Sequence, residues 1–179
     1  MDENYLSVVD KKMHLLEGII EYEFNDIRNL ANAMCGDKIF REHSGANSKD
    51  YYNDSLATVG DALLKAILSE CLFKKGLYKG DITKIKQMLE NNEKLLDISN
   101  KIDLTNFVFN RYGFYNDVPV QNRAPYSKHN QYFEAIIGAV YFDSNYETCR
   151  NWLLEKIYPD ILIEDWIMKY QTALKNSLL

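Results

Sequence analysis

Proline is scarce in this sequence, with three in 179 residues, at Pro119, Pro125 and Pro159. A proline inside a helix removes a hydrogen bond and clashes with the preceding turn. All three fall outside the stretches of strong apolar periodicity, so long helices are permitted. Cysteine is equally sparse. Cys35, Cys71 and Cys149 form an odd set without metal-ligand spacing, which argues against a disulfide framework or a zinc site and leaves reduced, partly buried thiols as the expectation. No uninterrupted apolar run approaches the roughly 18 residues a membrane span requires, and no charged-then-apolar start precedes Glu3 and Asn4. A soluble, cytoplasmic chain without a membrane partner is therefore expected. Positive charge is also short. The 21 Lys and Arg residues stand against 26 Asp and Glu, a net charge of −5, so nucleic acid would have to be held by local clusters rather than by the whole surface.

What is present is apolar periodicity of the helical kind. It marks helices over 5–20, 25–35, 53–75, 80–103 with a break near Asn91-Asn92, 128–142, 145–158 and 160–178, and few strands compete. The fold class is all-α, and the length suits one compact domain. The polar stretch 37–52 reads as a loop leading to a helix start at Asn53-Asp54, with one of these residues as the cap. Residues 112–128, rich in Asn, Gly, Pro and Tyr, read as a substrate-contacting loop.

Two segments carry acids in apolar surroundings. In the first, Leu56, Val59, Leu63 and Ile67 recur at helical spacing, as do Leu64, Leu68 and Leu72, so the helix is central. The remaining strip holds Asp54, Ala57, Thr58, Asp61, Ala62 and Lys65, with Asp54 and Asp61 seven residues apart and nearly eclipsed. In the second, Tyr132, Phe133, Ile136, Ile137 and Val140 form the core face, while Gln131, Glu134, Ala135 and Gly138 form the other. Gly60 and Gly138 each cost up to about 1 kcal/mol in a helix interior relative to Ala, so their presence points to close packing. Two readings follow. Asp61 pairs with Lys65 at i,i+4 and Glu134 is exposed, or the helices meet and their carboxylates share a cation, for which oxygen donors favour Mg²⁺ or Mn²⁺.

Asn53-Asp54-Ser55-Leu56-Ala57-Thr58-Val59-Gly60-Asp61 and Gln131-Tyr132-Phe133-Glu134-Ala135-Ile136-Ile137-Gly138-Ala139 resemble, in order and spacing, the two motifs of the ribonuclease III endonuclease domain. Those read Asn-Glu-x-Leu-Glu-x-Leu-Gly-Asp and Asp-x-x-Glu-Ala-x-x-Gly-Ala. Gly18-Ile19-Ile20-Glu21-Tyr22-Glu23-Phe24, Gly80-Asp81-Ile82-Thr83-Lys84-Ile85-Lys86 and Asn92-Glu93-Lys94-Leu95-Leu96 extend the resemblance over roughly residues 15–160. It implies an all-helical ribonuclease III endonuclease-like fold, a homodimer, and Mg²⁺-dependent hydrolysis of double-stranded or structured RNA, with Mn²⁺ as a substitute. Carried over residue by residue, it makes Asp61 and Glu134 the metal-holding catalytic acids. Asp54 stands for an earlier supporting Glu, orienting metal-bound water or a helix partner. Two of the family's usual four acids are replaced, by Ala57, which cannot ligate, and by Gln131, whose amide oxygen remains a weak donor. Leu56-Ala57-Thr58-Val59-Gly60-Asp61-Ala62 with Phe133-Glu134-Ala135 is similar to the reduced pattern of the compact Mini-III branch.

Among the basic residues near these motifs, Lys84, Lys86, Arg123 and Lys128 are expected to contact the RNA backbone, where affinity for duplex RNA chiefly arises. His43 and His129 read as solvated rather than catalytic. Residues 1–160 are expected to form the endonuclease domain. Residues 161–179 form either a last helix or the start of a linker and RNA-binding domain, since Lys169-Tyr170-Gln171-Thr172-Ala173-Leu174-Lys175 is similar to that domain's opening. The loss of two acids sustains an alternative, a catalytically inactive ribonuclease III fold kept as an RNA-binding or ribosome-associated protein. A helical interaction module is a third reading.

Overall fold

The computed structural model describes residues 3–36, 53–123 and 129–177. Its axis is the long helix α3 (Asn53–Lys74), which buries Leu56, Ala57, Gly60, Leu64, Ile67, Leu68, Cys71 and Leu72. Around it in chain order lie α1 (Glu3–Ile20), α2 (Ile27–Met34), α4 (Lys79–Glu90), α5 (Asn92–Lys101), α6 (His129–Asp143), α7 (Tyr146–Trp152) and α8 (Asp160–Ser177). The all-α expectation holds, and helix bounds follow the apolar periods closely. Between α4 and α5 the chain breaks at Asn91, whose extended backbone (ψ 157°) ends one helix and whose side chain caps the next by accepting from the Lys94 N–H at 2.8 Å.

The most extensive helix contact is that of α3 with α6, and two glycines create it. A Cβ on Gly60 would lie 1.8 Å from the Glu134 carbonyl oxygen, and one on Gly138 would lie 2.3 Å from that of Leu56. Each glycine thus receives the backbone of the other helix. From Tyr132 to Val140, α6 is buried apart from Glu134, which is only partly so.

The register of α6 is also fixed at its far end. Asp143 accepts from the Tyr22 hydroxyl (3.1 Å), the Asn25 N–H (2.8 Å), the Asp26 N–H (2.9 Å) and Asn29 Nδ2 (3.0 Å), latching α6 to the start of α2. The turn before α2 is held by buried Glu17, which accepts from the Phe24 N–H at 2.6 Å and pairs with His14 at 2.6 Å. That contact raises the His14 pKa. Trp152 Nε1 donates to the Ile20 carbonyl at 2.8 Å, closing the same corner.

Several expectations are modified. The helix anticipated over 145–158 stays α-helical only to Trp152 and widens into a π turn over Leu153–Ile157, closed by the Tyr158 N–H on the Leu153 carbonyl at 2.8 Å. Pro159 explains the stop, because it disfavours helical backbone at the residue before it. Tyr158 is buried there, its hydroxyl donating to Leu89 O at 2.9 Å. Strands of two residues, Phe109–Asn110 and Gly113–Phe114, form a small antiparallel hairpin, so the loop expected from 112 begins inside a hairpin and continues as turns with a 3₁₀ turn at Val120–Asn122; 124–128 lie outside the described residues. Asn53 is the first residue of α3 rather than a demonstrated cap, and its buried side chain donates to the Ala33 carbonyl of α2. In α8, Ile163 is buried and Trp166 and Ile167 pack against the core, whereas Ile161 and Leu174 are exposed. The three cysteines are buried and none forms a disulfide, and among the described residues no helix is long and apolar enough to cross a membrane. The segment 37–52, with His43, lies outside the described residues.

Gly60→Ala and Gly138→Ala should each lose about 3 kcal/mol or more, since backbone, not a flexible side chain, opposes the new methyl group. Gly18→Ala, with open space around it, should instead gain up to about 1 kcal/mol. Urea unfolding of the three variants checks the contrast; equal effects at Gly18 and Gly60 would contradict the close crossing.

Candidate metal and catalytic site

The glycine crossing determines where the acids stand. Asp61 follows Gly60 on α3, and Glu134 contributes the backbone against which Gly60 rests. The two carboxyl groups are close enough for the charge of Asp61 to act on Glu134. Burial, followed by that charge, pushes the Glu134 pKa up to about 7, with Lys65 opposing the shift. One turn along α3, Lys65 Nζ donates to Asp61 Oδ2 at 2.6 Å. This hydrogen bond raises the Lys65 pKa, and the carboxylates of Glu90 and Glu134 reinforce it. Asp61 pairs with Lys65 as the first reading has it, while the helices meet and Glu134 is partly buried rather than a solvated surface acid.

Asp54 and Gln131 meet across the same crossing, Gln131 Nε2 donating to Asp54 Oδ1. Of the two roles anticipated for Asp54, contact with the neighbouring helix is the one visible. Gln131 is engaged with Asp54 through its amide nitrogen. Ala57, buried one turn from Asp61, adds no polar atom. Among the described residues no three His, Cys, Asp or Glu side chains converge in a metal-binding group. The donor set is thus two carboxylates, one of them made uncomfortable in its charged form by burial and a like charge. Hard oxygen donors few in number fit a largely hydrated Mg²⁺ or Mn²⁺, which keeps several waters, better than a softer metal.

The basic residues are distributed differently from the expected cluster. Lys86 pairs with Glu90 at 3.1 Å, both partly buried. Lys74 pairs with Glu70, and Lys75 lies 3.2 Å from both Asp160 and Glu164. Lys84 is exposed on α4. Arg123 donates through Nε to the Val118 carbonyl at 3.0 Å and stacks 5.1 Å from the Tyr115 ring centre. Lys128, and the side chain of His129, lie outside the described residues. Glu90 escaped sequence reading altogether. Its i,i+4 spacing from Lys86 is that of an ordinary helix pair, and nothing in the local pattern points to Lys65.

Comparison with known proteins agrees with the motif resemblance. A ribonuclease-III-like family model matches residues 38–161. Ribonuclease 3 of Campylobacter jejuni (strain RM1221) is 31% identical over 171 residues, which span 93% of this chain and 71% of that protein. Ribonuclease 3 of Sulfurovum sp. (strain NBC37-1) is 32% identical over 90% of this chain and 70% of its own length. Two solved structures of the ribonuclease III nuclease domain from Campylobacter jejuni superpose with TM-scores of 0.62 and 0.61, each at 29% identity. The first covers 79% of this chain and 93% of the neighbour and is described as flexible in a region involved in dimer formation; the second covers 84% and 92%. This chain belongs to the ribonuclease III family, whose class is that of ribonuclease III-type endoribonucleases.

Proposed function

We propose that the protein is an active, divalent-metal-dependent endoribonuclease that hydrolyses double-stranded or structured RNA as a homodimer. The observation that carries this reading is the opposition of Asp61 and Glu134 across the Gly60 and Gly138 crossing, with Glu134 held at about 7. Placing a second acid beside a partly buried one costs stability unless a cation occupies the pair, and perturbed acids of this kind mark functional sites. Asp61 and Glu134 would hold Mg²⁺ or Mn²⁺. The chemistry a bound divalent ion supplies here is activation of water near neutral pH and compensation of charge on the phosphoryl oxygens. Asp54 acts as a positioning residue, its bond to Gln131 fixing the face of α6 that carries Glu134. Gln131 contributes at most a weak donor. Lys84 and Lys86 on α4, with Arg123 and Lys128 on the segment before α6, are the proposed backbone contacts, as duplex RNA is bound largely by charge and shape. Two acids where the resembled motifs have four, a pattern similar to the Mini-III one, would raise the Mg²⁺ requirement.

A second reading is kept for a specific reason: Ala57 is buried without a polar atom and Gln131 is already engaged with Asp54. That geometry favours, as the alternative, a silent ribonuclease III fold retained for RNA binding or association with the ribosome. A labelled RNA duplex incubated with purified protein in Mg²⁺, Mn²⁺ or EDTA separates the two. Cleavage in either metal and none in EDTA supports the enzyme; tight binding without cutting supports the silent fold.

Two further outcomes follow. Asp61→Asn and Glu134→Gln should each reduce duplex cleavage by at least about a hundredfold, the scale of losing a group that stabilises transition-state charge, and unchanged cleavage by either would refute the assignment. Stability without metal should also depend on pH through Glu134. The folded protein holds this proton up to about 7, while the ordinary value is 4.5, so the native state binds more protons between them and stability falls as pH rises through that window. The loss has an upper bound of about 3 kcal/mol. In EDTA, the melting temperature of the parent protein should therefore drop between pH 5 and pH 8 by more than that of Glu134→Gln; parallel profiles would show that Glu134 is not strained.

A further inference from the structure

The site contains a cation of its own. Lys65 Nζ lies 2.6 Å from Asp61 Oδ2, on the strip of α3 that carries Asp61 and beside the crossing that presents Glu134. Its side chain is long and half exposed, so it can change partner without disturbing the core. We propose that Lys65 is the resident counter-ion of the acid pair: it neutralises Asp61 while no divalent ion is bound, competes with that ion, and so sets the metal affinity of the site. This rests on the reading of Asp61 and Glu134 as metal-holding acids.

Charge counting supports the role. With both acids ionised, the Asp61, Glu134 and Lys65 group carries −1. A divalent ion would bring it to +1 with Lys65 in place, so ion and ammonium oppose one another at short range. Asp54 offsets this less than a neighbouring acid would, because it lies about two helix turns from Asp61 along α3. Lys65 also has an acid to turn towards. Glu90, at the end of α4, acts electrostatically on Lys65, and its side chain is largely buried beside Lys86. The result is a series of charges from α4 to α6: Lys86, Glu90, Lys65 and Asp61 alternate in sign, and Glu134 ends it as a second acid. A cation between two acids of different helices can leave one for the other at small cost. In this arrangement metal entry at Asp61 is accompanied by movement of Lys65 towards Glu90.

The test is Mn²⁺ binding in the absence of RNA, at pH 8 where Glu134 is ionised, followed by the electron paramagnetic resonance signal of free Mn²⁺. Lys65→Gln should tighten Mn²⁺ binding about fivefold, the size expected when a short-range, partly screened like charge is removed. Lys65→Arg, which keeps the charge, should stay within about twofold of the parent, and Asp61→Asn should abolish binding. Circular dichroism of each variant confirms the fold. If Lys65→Gln binds Mn²⁺ no more tightly than the parent while Asp61→Asn still abolishes binding, the counter-ion role is overturned and the metal site stands. If Asp61→Asn keeps full affinity, the metal reading itself falls and this inference with it.

Discussion

The constraint on which the rest depends is the contact of backbone with backbone between α3 and α6. Helices in globular proteins usually lie 8–10 Å apart, a distance set by their side chains, and at such a separation carboxylates on facing strips can remain hydrated. Here Gly60 and Gly138 remove the side chains at the crossing, and the carbonyl groups of Glu134 and Leu56 occupy the vacated space. Close approach partly desolvates Glu134 and sets it within electrostatic reach of Asp61. One geometric fact therefore accounts for the tight packing, the perturbed acid and the juxtaposition of the two motifs. It carries a cost, since glycine is a poor helix former and like charges are brought together. The surrounding structure supplies the compensation through burial of the stretch from Tyr132 to Val140, Glu134 excepted, and the Asp143 latch at the helix end.

The legible parts of the fold were those with a local cause. Apolar residues at helical spacing located eight helices among the described residues, and Asn91 marked its break because an Asn side chain can cap the helix that follows. Gly60 and Gly138 could be read as packing residues because a glycine in an apolar helix is otherwise a loss. The hairpin over 109–114 was not legible: strands of two residues have no period to detect, and the hairpin's partners, Cys35 and Gly36, are some seventy residues away. The π turn before Pro159 and the multiple donors converging on Asp143 belong to the same class. They follow from where the elements meet, not from any one of them.

The same division applies to the site. Asp61 and Glu134 were located by motif order and spacing, but the sequence could not choose between a local pair with Lys65 and an acid pair across helices. The structure shows that this was no true alternative, since the two contacts share one carboxylate. Gln131 looked like a weakened ligand when compared with an aspartate. In place, it is the donor that holds Asp54, a role visible only once the helices are packed. The four proposed RNA contacts are the least evident of the assignments, because a lysine on a helix serves an i,i+4 partner or a phosphate with the same sequence signal, and Lys86 already serves Glu90.

A site with fewer acids has a physical logic of its own. Each carboxylate added around a cation strengthens binding of the ion but must be desolvated and kept from its neighbours when the ion is absent. With Ala57 and Gln131 in place of acids, the metal-free protein bears less repulsion, and one proton on Glu134 or one ammonium at Asp61 goes far towards balancing it. Neutral pH lies close to the Glu134 transition. On the proposed reading, proton, lysine and divalent ion are therefore competitors for the same two carboxylates. Such a site responds to metal concentration and pH together, because weakening any one competitor favours the other two. A four-acid site, with excess negative charge at every accessible pH, would bind its ions more tightly and be less sensitive to either condition.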